Sequence, residues 1–75
     1  MVTIKVAWKA TGHPVTYKGV SIAINGFWTG GVTDRVYTDS NGEANFDIDP
    51  SEGTVYVGGR EVYNGKIAGR ILVYV

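Results

Sequence analysis

The chain has 75 residues, of which 44% are apolar, and its seven basic and seven acidic side chains give a net charge of zero. This length allows a single domain over residues 1–75, and the apolar share is too high for a disordered chain. The zero net charge disfavours a nucleic-acid interface, and the absence of cysteine excludes a disulfide framework.

The first nine residues alternate between apolar and polar side chains, which predicts a β-strand whose buried face carries Val2, Ile4, Val6 and Trp8. The same period of two recurs at residues 20–24 and 44–48. No ten-residue window has helical spacing, and the eleven glycines fall mainly between the apolar segments. The sequence therefore predicts an all-β fold with Trp8 in its core.

Residues 39–42, Asp-Ser-Asn-Gly, separate two such segments. The Asp39 carboxylate can accept backbone hydrogen bonds, and an Asn-Gly pair favours the positive φ that a tight turn needs. We therefore expect a hairpin turn here, with a positive φ at Gly42.

Residues 63–66, Tyr-Asn-Gly-Lys, predict a second hairpin, with a two-residue type I′ turn. Gly58-Gly59 then falls within one arm and indicates a bulge, with Val55 and Val57 opposite Val73 and Ile71. The last strand, residues 66–75, has apolar side chains on both faces, so we expect it to be central or covered on both sides.

Six to seven short strands with frequent turns predict a small Greek-key β-sandwich. A small β-barrel is the alternative way to bury one face of the sheet.

Three segments in order resemble the pattern of carboxypeptidase regulatory-like domains, and they span nearly the whole chain: GHPVTYKGVSI at 12–22, YTDSNGEANF at 37–46 and GTVYV at 53–57. The resemblance implies an Ig-like, transthyretin (prealbumin)-type sandwich. It also implies a non-catalytic module of a larger surface or multidomain protein, at an extracellular or cell-surface location. The chain departs from the pattern between Pro50 and Gly53 and at residues 25–31.

The sequence lacks the signatures of the enzymatic relatives that share the implied fold. The transthyretin-like hydrolases end in Tyr-Arg-Gly-Ser, whereas this chain ends Ile-Leu-Val-Tyr-Val and has His13 alone. Pilin-type relatives join a Lys to an Asn, but Lys5 has the polar phase of its strand and the final strand has no Asn or Asp. His13 precedes a proline and is interpreted as a turn residue. We expect no catalytic residues, no cofactor and no enzyme activity.

Phe27 and Trp28 lie between Asn-Gly and Gly-Gly, outside any alternating strand. Flat aromatic faces with polar edges suit sugars and peptides, so these residues are the main ligand-binding candidates, with Tyr17 and Tyr37 as helpers. Trp28 is then expected to be partly exposed. The alternative is that this loop folds back and caps the sandwich.

Asp47, Asp49 and Glu52 are weak candidates for a cation site, because calcium prefers several oxygen ligands. The outward phase of this segment favours a solvated polar face instead. Residues 37–48 do not match a calcium-binding EF-hand loop, because the positions of its first and last ligands hold Tyr37 and Ile48. We expect no metal site.

These observations favour a non-catalytic β-sandwich module that serves as a structural spacer or protein-interaction domain, acting through the Phe27-Trp28 loop or an exposed edge strand. A carbohydrate-binding module using Trp28 is the alternative. The expected partners are a protein or neighbouring domains, with carbohydrate as the second choice, and neither nucleic acid nor membrane insertion is expected. No signal peptide is predicted, and the residues themselves assign no compartment.

Overall fold

The computed structural model describes residues 1–24 and 31–75, and within these ranges it contains eight strands and no helix. The strands are β1 (Val2–Ala7), β2 (Gly19–Ile24), β3 (Gly31–Val32), β4 (Val36–Tyr37), β5 (Glu43–Phe46), β6 (Ser51–Val57), β7 (Arg60–Ile67) and β8 (Arg70–Tyr74). The predicted all-β class is confirmed.

The strands form two sheets that enclose one core. The small sheet has the order β5-β1-β8, and the large sheet has the order β3-β2-β6-β7, with β4 also paired to β2. Alternate residues of both sheets point inward and exclude water from the space between them. The small sandwich is therefore confirmed, and the barrel alternative is wrong because the sheets are separate. The buried core consists of Val2, Ile4, Val6, Val15, Val20, Ile22, Ala44, Phe46, Val55, Val57, Ile67, Ile71 and Val73.

β1 and β8 are parallel neighbours in the small sheet. Their register runs from Thr3↔Arg70 to Ala7↔Tyr74. The ladder continues beyond the strands, because Val75 N donates to Ala7 O (3.0 Å) and Lys9 N donates to Val75 O (2.8 Å). Parallel pairing places the start of β1 and the end of β8 at opposite ends of the sheet.

The prediction that Trp8 belongs to the core is wrong, since 48% of the residue is exposed. β1 ends at Ala7, which is itself buried, so the alternation stops one residue before Trp8. Trp8 N then donates to His13 O (2.8 Å) and Gly12 N donates to Trp8 O (2.7 Å). These bonds close a turn that carries the indole to the surface.

The predicted hairpin at residues 63–66 is also wrong. The chain reverses at Gly58-Gly59, with φ values of 60° and 83°, and β6 and β7 pair on either side of this turn. A type I′ turn needs a positive φ at both central residues, and two glycines meet this need as well as Asn-Gly does. Residues 64–65 lie inside β7 instead. The bulge predicted at Gly58-Gly59 is therefore wrong as well, because these residues form the turn. The register shifts on β7 instead, where Val55 pairs with Tyr63 while Tyr56 pairs with Glu61.

The prediction of one last strand over residues 66–75 is wrong too, because the hairpin turn lies at residues 58–59 and β7 extends to Ile67. Ile67 ends β7, and Gly69, with φ 61°, lies in the short connection to β8. β8 pairs with β1 rather than with Val55 and Val57 of β6. It is an edge strand whose outward side chains are half exposed, at 50% for Leu72 and 53% for Tyr74.

The turn at residues 39–42 forms largely as predicted. Asp39 Oδ1 accepts hydrogen bonds from Asn41 N (2.8 Å) and Glu43 N (3.0 Å), and Gly42 has φ 76°. The turn connects β4 in the large sheet to β5 in the small sheet, so the expectation of a hairpin between paired strands is wrong. It carries the chain from one layer of the sandwich to the other.

Candidate functional site

Two of the four predicted ligand-binding residues line one surface groove, which we call the tyrosine groove. Phe27 and Trp28 lie outside the described residues, so their roles stay predictions. The groove has a volume of about 520 Å³ and is lined by Thr16, Tyr17, Tyr37, Thr38, Asp39 and Ser40.

Tyr17, which lines this groove, is held in an unusual backbone conformation. Its φ is 52°, the only positive value at a non-glycine residue in the described ranges. Thr38, only 2% exposed, donates its hydroxyl to Val15 O (2.7 Å) and accepts a hydrogen bond from Lys18 N (3.0 Å). Tyr17 N also donates to Thr38 O (3.0 Å). One buried threonine therefore fixes both sides of Tyr17, which is left 85% exposed.

Tyr37 forms the other aromatic side of the groove. It ends β4, where it pairs with Gly19 of β2, and it is 57% exposed. The Asp39 turn follows directly and adds a carboxylate to the lining. Two phenol rings beside hydroxyl and carboxylate groups can stack on a flat apolar surface and exchange hydrogen bonds with its polar edge. This is contact chemistry, suited to holding a ligand.

The tyrosines and the ends of the undescribed loop lie at opposite ends of β2. Tyr37 pairs with Gly19 at the start of this strand, whereas Gly31 pairs with Ile24 at its end. Five residue steps along a strand span about 17 Å. Trp28 lies outside the described residues, so a platform that combines it with the two tyrosines stays a prediction.

Trp8 is one of the residues that line a second groove, which was not predicted because the alternation of β1 had indicated a buried Trp8. This groove of about 340 Å³ is lined by Trp8, Lys18, Val57, Gly58, Arg60 and Val75. The sequence signal that could have revealed it is the Thr-Gly pair at residues 11–12, which closes the turn after Trp8. The exposed indole with Lys18 and Arg60 can contact an anionic or aromatic group.

The acidic segment does not assemble a metal site. Asp47, Asp49 and Glu52 are all exposed, and within the described ranges no three His, Cys, Asp or Glu side chains come together to hold an ion. Glu43 instead pairs with Arg70 across β1, with 2.6 Å between Oε2 and the guanidinium nitrogen. The weak cation candidates are therefore not brought together as one group.

No protein-family model, curated protein or solved structure matches the chain. Membership of the carboxypeptidase regulatory-like family thus stays a prediction from three short motifs. In the part of the chain that the structure describes, no helix is long and apolar enough to cross a membrane.

Proposed function

We propose that the chain is a non-catalytic β-sandwich module that spaces neighbouring domains in a larger protein. The observation that carries the proposal is the parallel pairing of β1 with β8. The ends of many domains lie close together, which suits insertion into another domain. Here a neighbour joined before β1 and a neighbour joined after β8 would leave from opposite ends of the small sheet.

Backbone hydrogen bonds join β1 and β8 at both ends of their ladder. Thr3 N donates to Gly69 O (2.8 Å) at the start of β1, and Lys9 N donates to Val75 O (2.8 Å) at the other end. These bonds fix residues 3–9 and 69–75 relative to each other. The two points at which neighbours would join the small sheet therefore lie a defined distance apart.

The test places the module between two fluorescent proteins that form a donor–acceptor pair and measures the distance distribution by time-resolved energy transfer. We expect one narrow distribution that broadens only when the module unfolds. A Gly/Ser linker of equal length is the control, with a broad distribution around a root-mean-square distance of about 50 Å. A distribution as broad as that of the linker, from a module still folded by circular dichroism, would contradict the proposal.

Among residues 1–24 and 31–75, no strand pairs with the outer edge of β8, and this supports the protein-interaction part of the proposal. In a parallel ladder, the backbone N–H and C=O groups of every second residue bond to the same neighbouring strand. The backbone groups of Ile71 and Val73 therefore point toward β1, whereas those of Leu72 point away from it. An extended segment of a partner could add a strand there. Amide hydrogen exchange tests this: Leu72 should exchange much faster than Ile71 and Val73 in the isolated module. Equal protection of all three would mean that the edge is already covered.

Carbohydrate binding is the second candidate, and the tyrosine groove is the observation that favours it. Tyr17→Ser and Tyr37→Ser should each abolish binding to a glycan array, because each removes one stacking ring. Tyr74→Ser is the matched control, since Tyr74 is also half exposed but lies on β8, outside the groove. If the parent module binds no glycan more strongly than the Tyr17→Ser variant does, carbohydrate binding is rejected.

A further inference from the structure

We propose that the module bears tensile load, and that the β1–β8 ladder, from Thr3–Gly69 to Lys9–Val75, is the element that resists it. We call this ladder the shear clamp. The inference rests on the proposed spacer function, because neighbours at both ends are what would pull on the module.

The direction of force follows from the parallel pairing. A pull on the chain before Val2 draws β1 toward one end of the small sheet, and a pull after Val75 draws β8 toward the other end. The two strands are direct neighbours, so this pull slides them along each other, across the direction of their hydrogen bonds. All bonds of the ladder then carry the load together, and no single bond is exposed to it first.

The core resists the same sliding movement. Ile4 and Val6 of β1 and Val73 of β8 are buried on the inner face of the sheet. A slip of one residue would turn the inward side chains of a strand toward solvent, because the side-chain period of a strand is two. Sliding therefore exposes buried apolar surface while it breaks hydrogen bonds.

A salt bridge on the outer face of the small sheet also links its strands. Arg70 of β8 reaches across β1 to Glu43 of β5, with 2.6 Å between the charged groups. β1 is thus the middle strand of three, paired with β5 on one side and with β8 on the other. It cannot leave the sheet along its own axis without breaking both ladders.

The same ladder can be loaded in a second direction, and this supplies the control. Lys9 and Val75 lie side by side at one end of the clamp, joined by the bond from Lys9 N to Val75 O. A pull between these two residues opens the ladder from that end, so its bonds break one after another. The protein, its bonds and its core are identical in both directions, and only the geometry of loading changes.

The experiment is single-molecule force spectroscopy with handles on introduced cysteines, which are unique because the chain has none. One variant carries Met1→Cys and Val75→Cys, and the other carries Lys9→Cys and Val75→Cys. We expect the first to unfold at a force at least about twofold higher at equal loading rate, because its hydrogen bonds break together. Thermal melting of both variants must coincide, so that the difference reports direction and not stability.

Equal unfolding forces in the two directions would overturn the load-bearing proposal and leave the spacer proposal intact. A broad distance distribution in the fluorescent fusion would overturn the spacer proposal instead, whatever the force measurement gives. The two experiments therefore fail separately.

Discussion

Gly42 and Gly12 share a backbone φ of 76°, but only Gly42 lacks room for a side chain. A Cβ atom at Gly42 would lie 2.5 Å from Val6 O, whereas one at Gly12 would meet nothing within 4 Å. Gly12→Ala should cost about 1 kcal/mol from backbone strain alone. Gly42→Ala should cost about 2–4 kcal/mol, because steric overlap adds to the strain. Urea denaturation measures both, and equal losses would mean that the Val6 contact is unimportant.

The buried Thr38 hydroxyl anchors the backbone on both sides of Tyr17. Thr38→Val removes a hydroxyl that bonds Val15 O and Lys18 N, at a site that is almost fully buried. We expect it to lower the free energy of unfolding by about 2–3 kcal/mol, since two bonds are lost and their partners stay unpaired. Thr38→Ser keeps the hydroxyl and should cost about 1 kcal/mol for the lost methyl group. If valine proves no worse than serine, the hydroxyl does not hold the Tyr17 conformation.

The conformation of a single residue was predictable from the sequence where its contacts are made by residues close to it along the chain. The Asp39 turn follows from residues within four positions of it, and both its hydrogen bonds and its positive φ at Gly42 are found. Trp8 was not predictable in this way. Its exposure depends on where β1 ends, and that end is set by the turn that returns to His13 rather than by the alternation itself.

Among the strands, β5 allows a test of which side chains of an alternating segment face the core. Phe46 is buried against the core, whereas its neighbour Asn45 is exposed and accepts a hydrogen bond from the Thr3 hydroxyl. Phe46→Ala should cost about 3–5 kcal/mol and Asn45→Ala about half a kcal/mol. Chemical denaturation of the pair gives the comparison. Similar midpoints would show that Phe46 contributes no more to the core than a surface residue.

The C-terminal hairpin shows why elements were harder to predict than residues. Gly58-Gly59 and Asn64-Gly65 can both supply the positive φ values of a tight turn, so local preference does not choose between them. The turn at residues 58–59 leaves residues 70–74 free to pair with β1 and to bury Ile71 and Val73. Pairing between residues more than 60 positions apart decides the outcome, and a local pattern does not contain it.

At the scale of the whole molecule, the fold class was predictable and the topology was not. Alternating segments and dispersed glycines indicated an all-β sandwich, and the inward phases of β1, β2 and β5 agree with the core. The assignment of strands to two sheets depends on which edges meet after collapse. That choice brought Tyr17 and Tyr37 to one groove and made β8 an edge strand.

Both the spacer and the load-bearing proposals depend on the parallel pairing of β1 and β8. Pulsed electron spin resonance between labels on introduced cysteines tests it directly, with Met1–Val75 as the main pair and Lys9–Val75 as the control. The eight residue steps from Met1 to Lys9 span about 26 Å in a strand. We therefore predict a backbone distance of about 26 Å between Met1 and Val75, against about 5 Å between the laterally adjacent Lys9 and Val75. A Met1–Val75 distance as short as that of the control pair would contradict the parallel pairing of β1 and β8.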